Sequence, residues 1–176
     1  MMNTRKLAHI SVLITFALVI HTVEAIVPMP LLVPGAKIGL ANIITLLTFI
    51  IYGFKSAIFV AVIRTVLGSI FLGNFLGFGF FLSFSGAVIS TLAMALGIYL
   101  WRRDKVSLIA VSILGAVAHN TAQVAAASII IRNINLLKLY LPLLLILAIP
   151  TGFFTGLVVI YSQKALSGVI GQLQES

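Results

Sequence analysis

Cysteine is absent from this 176-residue chain, which excludes disulfides, thiolate metal sites and thiol nucleophiles. Acidic residues are nearly absent too: Glu24, Asp104 and Glu175 are the whole set. Enzymes that build isoprenyl chains or transfer phosphoryl groups hold divalent cations with clustered carboxylates. Here the acids lie far apart in sequence, and Glu175 sits next to the last residue. No GxxxxGK[ST] loop is present to cradle a nucleotide phosphate. These absences predict a chain that is not an enzyme, drives nothing with its own ATP hydrolysis, and carries neither cofactor nor metal. Charge of either sign is scarce as well, at 8% of residues against 61% hydrophobic, with a mean hydropathy of +1.25. A soluble domain has roughly a quarter of its residues charged, so an ordinary soluble globular protein is excluded.

What remains is a series of apolar runs. A helix that crosses the hydrocarbon core of a bilayer needs about 20 mostly apolar residues. Charges, prolines and glycine-rich breaks divide the chain into six such segments, at about 7–27, 37–54, 56–73, 79–100, 106–131 and 140–163. The first follows Arg5 and Lys6 as a secretion signal would. It is too long for a signal's apolar region and lacks a small-residue cleavage site, so it reads as a retained helix. Apolar sequence continues to residue 163 with no long linker, which predicts an all-α integral membrane protein folded as a single six-helix domain over 1–176.

The formal charge of +8 raises the question of nucleic acid, but the basic residues occupy short gaps between apolar runs. No basic, aromatic-interleaved domain is left to hold a polynucleotide, so their first reading is membrane orientation. With the N-terminus inside, the cytoplasmic side holds Arg5, Lys6, Lys55, Arg102, Arg103, Lys105 and Lys164, and the outside holds Lys37, Arg132 and Lys138. This asymmetry predicts that both termini are cytoplasmic, in a multi-pass protein of the bacterial inner or plasma membrane. Asp104, in the Trp101 to Lys105 loop, reads as a solvated charge.

Stripes of small residues recur at three-to-four spacing: Ser83, Gly86, Ser90, Ala93 and Gly97 in segment four, Ser112, Ala116, His119, Gln123 and Ala127 in segment five, and Gly152 and Gly156 in segment six. Small faces let membrane helices approach closely, so these stripes read as packing surfaces.

Ionisable and amide groups inside a bilayer are costly to place, which makes each a candidate for function. They are Glu24, Lys37, Asn42, Arg64, His119, Asn120 and Gln123. Under the orientation above they come from different segments yet reach similar depths, and can converge on one cavity in the outer half. Arg64, amid Ala57, Ala61 and Gly68, is too deep to snorkel. It either pairs with Glu24 or meets an anionic ligand. His119, Asn120 and Gln123 occupy adjacent turns and suit either ligand binding or interhelical hydrogen bonds. A metal site is not expected, because no second histidine or carboxylate is suitably spaced. Pro28, Pro30, Pro34 and Gly35 form either a short rigid loop or an outer lid, and the Gly73–Gly79 stretch with Asn74 is a second candidate lid. His9 and His21 read as interfacial or packing residues.

The stretch Val33-Pro34-Gly35-Ala36-Lys37-Ile38-Gly39-Leu40-Ala41-Asn42, with His21-Thr22-Val23-Glu24, Arg64-Thr65-Val66-Leu67-Gly68-Ser69, Ser85-Gly86-Ala87-Val88-Ile89-Ser90 and Gly115 to Gln123, resembles the Gx transporter family. That family is also labelled heptaprenyl diphosphate synthase component I, and it resembles the substrate-binding S-components of energy-coupling-factor (ECF) transporters. The resemblance implies a six-helix bundle that captures a small molecule at the outer face. On the residues read above, Lys37, Arg64 and Lys138, with Arg132 as a further candidate, would supply positive charge toward it, Asn42, His119, Asn120 and Gln123 would orient it by hydrogen bonds, Glu24 would support by ion pairing, and Pro34, Gly35 and Asn74 would belong to the lid. The resemblance also implies a separate scaffold protein and ATPases as partners, and a setting in prenyl, quinone or flavin metabolism. The alternative is a non-catalytic membrane subunit that assists a prenyl diphosphate synthase or a quinone or flavin electron-transfer system.

Overall fold

The computed structural model describes residues 4–26 and 37–174, with side chains through residue 166. Among these residues all regular structure is helical: α1 (Thr4–Ile26), α2 (Asn42–Tyr52), α3 (Phe54–Phe71), α4 (Phe78–Trp101), α5 (Leu108–Ile131) and α6 (Asn135–Gln174). Every helix except α2 is long and apolar enough to cross a membrane. That composition fits a multi-pass membrane protein.

The second segment departs from its expected form. An 11-residue helix spans only about 16 Å, roughly half of a hydrocarbon core about 30 Å thick. Residues 37–41 before it are not helical. Gly39 sits at φ +87°, a conformation open to glycine and strained for other residues, and it interrupts the helix that hydropathy alone predicts. At the far end Gly53 makes a one-residue corner at φ 79°, ψ −179°. Its N–H donates to the Phe49 carbonyl, and its own carbonyl accepts from the Ala57 N–H as α3 begins.

The short helix occupies the middle of the bundle. The long helices touch one another in the series α1, α3, α4, α5, α6, whereas α2 touches all five. No contact joins α1 to α6 among the described residues, and α2, which packs on both, closes the bundle between them. Asn42 through Phe49 are all buried. This accounts for the α2 sequence, whose only polar residues through Phe49 are the buried Asn42, Thr45 and Thr48 at three-residue spacing, in a helix otherwise apolar and surrounded by protein. By contrast α1 is two-faced: Ile10, Ala17, His21 and Glu24 point inward, and Leu7, Val12, Phe16, Val19 and Val23 remain exposed on the side that would meet lipid.

The small-residue stripes pack as expected. Gly152 and Gly156 press on the Ile113 and Ile109 Cα atoms so closely that a Cβ would sit 2.6 and 2.9 Å away, and Ser112 and Thr155 share a hydrogen bond of 2.6 Å beside them. The last helix, expected at 140–163, runs from Asn135 to Gln174 with Pro142 and Pro150 inside it. One apolar cluster unites Ile10, Leu46, Phe49, Val60, Met94, Val111 and Val159 near the Gly53 corner. A smaller one, around Leu82 and Ala127, lies toward the other end. The layer between them is polar.

Candidate functional site

The polar layer is level across the bundle. His9 on α1 bonds to the Tyr52 hydroxyl at 2.9 Å, which fixes α1 against the Gly53 corner. From that end, His9 to His21, Tyr52 to Asn42, Phe54 to Arg64, Trp101 to Ser90 and Leu108 to His119 are each about 10–12 residues, or ~15–18 Å of helix. Five helices thus bring polar side chains to about half the thickness of a bilayer core.

Non-helical backbone at such a depth is tolerated only where protein satisfies its polar groups. Residues 37–41 meet this condition through two side chains. The Gln123 amide accepts from the Lys37 N–H at 2.8 Å and donates to the Lys37 carbonyl at 2.8 Å. The Glu24 carboxyl accepts from the Gly39 and Leu40 N–H groups, an acceptor placed where the peptide dipoles of α2 begin. The ion pair between Glu24 and Arg64 held open by the sequence does not form: Glu24 is committed to backbone, and Arg64 donates from Nη2 to Asn42 Oδ1 at 2.9 Å.

Arg64 is only 2% exposed, and its buried Nε has no hydrogen-bond partner among the described residues. Asn42 Oδ1 also receives the Ser90 hydroxyl at 3.4 Å, while Asn42 Nδ2 has no partner among them. His119 lies alongside, with Nδ1 against the Gly86 backbone and Nε2 without a partner among the described residues. A point where a Cβ on Gly39 would stand is 3.1 Å from His119 Nε2 and 3.2 Å from Asn42 Nδ2, so these two groups converge on one spot. Buried polar groups are nearly always paired, and among the described residues this layer groups several that are not.

The layer is tightly built. A Cβ on Gly86 would meet His119 at 2.8 Å, and one on Gly68 would meet His21 at 2.4 Å, so each glycine yields its space to an imidazole. His21, read from sequence as a packing residue, is in fact part of the layer: its Nε2 lies 2.7 Å from the Lys37 ammonium. Its signal in the sequence was the three-residue spacing to Glu24, which puts both on one face of α1.

The remaining expected residues fall elsewhere. Asn120 turns toward α6 and donates to the Leu144 carbonyl at 2.9 Å. Asn74 is exposed in the α3–α4 connection, where its backbone hydrogen bonds are local. Arg132 and Lys138 are exposed. Pro34 and Gly35 lie outside the described residues. An open groove of about 440 Å³ on the outer side of α1 and α3 is lined by Leu18, Val19, Thr22, Val23 and Phe71, none of which belongs to the polar layer.

The family described as heptaprenyl diphosphate synthase component I matches residues 13–161, a stretch that contains the whole polar layer. The chain belongs to this family. The family in turn falls in the Gx and ECF S-component-like group. No curated protein and no solved structure matches the chain.

Proposed function

We propose that the chain is a non-catalytic, substrate-binding membrane subunit of an ECF-type uptake system, and that the polar layer receives a small polar or anionic compound. The observation that carries this reading is Arg64, a buried guanidinium that among the described residues has no carboxylate within ion-pair distance and an Nε without a hydrogen-bond partner. Burying a charge is costly, and such groups inside membrane proteins mark substrate pathways. The short helix α2 supports it further, because transporters form their sites where a helix is broken at mid-depth. Asn42 and His119 would orient the compound, and Gln123 would hold the chain above it. Energy would come from a scaffold protein and ATPases. Residues 37–41 border the layer, held in place by Gln123 and Glu24.

A second reading follows from the family description, which names one component of a synthase. In that reading the chain docks a soluble prenyl diphosphate synthase component at the membrane. Affinity purification from the native membrane separates the two: co-purified ATPases and scaffold support uptake, and a stoichiometric prenyl synthase with no ATPase overturns it.

A further inference from the structure

The polar layer has a charge imbalance that limits what it can accept. Two cations, Lys37 and Arg64, share it with one acid, Glu24. With neutral imidazoles, one positive charge is left over. Lys37 is hydrogen-bonded to His21 and Glu24 to backbone N–H groups, while Arg64 has no carboxylate within ion-pair distance among the described residues. Two donors nearby have no partner among the described residues, Arg64 Nε and Asn42 Nδ2.

We propose that the group bound in this layer is a monoanion, a carboxylate that accepts from Arg64 Nε and Asn42 Nδ2 beside His119, and not a diphosphate. The inference rests on the ligand-binding reading above and narrows it. A planar carboxylate matches a guanidinium and an adjacent amide as acceptor, and its single charge cancels the surplus. A diphosphate would bring at least one negative charge too many into a region of low dielectric. No trio of His, Asp or Glu among the described residues is grouped to hold a cation that would offset it.

Asn42→Asp tests this with the protein alone, because it installs a carboxylate at the proposed position. We expect the thermal midpoint in detergent to rise by about 3 °C or more, a shift on the scale of one charge interaction in a chain of this length. Because an acid in the first turn of α2 gains from the helix dipole regardless, the same change is made in Arg64→Gln. There the rise should largely vanish. Sodium benzoate and sodium pyrophosphate, at equal ionic strength, are the soluble probes. Benzoate should stabilise the wild type saturably and leave Asn42→Asp unmoved, and pyrophosphate should do neither. A midpoint lowered by Asn42→Asp, an equal rise in the Arg64→Gln background, or stabilisation by pyrophosphate alone overturns the proposal. Failure of the binding reading registers separately, as an absence of any retained small molecule in wild-type protein. The Asn42 and Arg64 cycle reports the charge imbalance in either case.

Discussion

The Gln123 carboxamide accepts from the Lys37 N–H and donates to the Lys37 carbonyl, each at 2.8 Å, across 86 residues of sequence. A side chain here does what a neighbouring strand would do, and it lets irregular backbone sit deep in an apolar bundle. The consequence is that the position of residues 37–41 depends on α5.

Replacing Gln123 by alanine leaves a part-buried N–H and a part-buried carbonyl of Lys37 without their partner. Leaving such groups unmet costs up to about 1–3 kcal/mol each, so Gln123→Ala should lower the unfolding midpoint below that of Ser128→Ala, which removes a single part-buried contact to the Asn133 carbonyl. Thermal unfolding in a fixed detergent measures the difference. Equal midpoints would show that the pairing contributes nothing.

His119 is wedged between Gly39 and Gly86. Gly86→Ala forces the imidazole to shift, at a cost of about 1–3 kcal/mol for an overpacked core. Removing the ring should relieve that clash. A double-mutant cycle of Gly86→Ala with His119→Ala is therefore expected to show a favourable coupling within the ~0.5–3 kcal/mol range of residues in contact. Gly39→Ala should be rescued less by the same partner, because its φ of +87° is strained for alanine whatever space is available. Additive effects at both glycines would contradict the packing described.

Glu24 acts through its oxygens on two backbone N–H groups. Glu24→Gln keeps an acceptor and should retain most of the stability. Glu24→Ala should lose about 1.5–3 kcal/mol, the worth of hydrogen bonds to a charged group. If both substitutions cost the same, the carboxylate's role is not acceptance from this turn.

The orientation is open to direct labelling, because the native chain has no cysteine. Single cysteines at Lys55 and Lys164 should react with a membrane-impermeant maleimide only from the cytoplasmic side, and one at Arg132 only from outside. The reverse pattern would invert the bundle and move the polar layer's access to the other face.

The long helices were legible in the sequence to within a few residues at most of their ends, because continuous hydropathy bounded by charge is a strong signal. The level of the polar layer was also legible at Arg64 and His119, since both follow from counting residues along uninterrupted helices. Residues 37–54 read as one apolar run, and nothing in hydropathy reports that Gly39 takes a positive φ or that Glu24 and Gln123 will satisfy the broken backbone. The partner of Glu24 was misjudged for the same reason: a sequence shows charges to pair, but not backbone N–H groups left free by an interrupted helix. Asn120 and Gln123, three positions apart, diverge to α6 and to Lys37, a choice set by neighbours that the α5 sequence does not name.

The most direct measurement is native mass spectrometry of the wild-type protein and Arg64→Ala, both released from mild detergent after purification from the same host. The account predicts a small-molecule adduct on the wild type that falls at least about tenfold in the variant, the effect of ~1.4 kcal/mol of lost affinity. A wild type that carries no adduct, or one that Arg64→Ala carries equally, would contradict it.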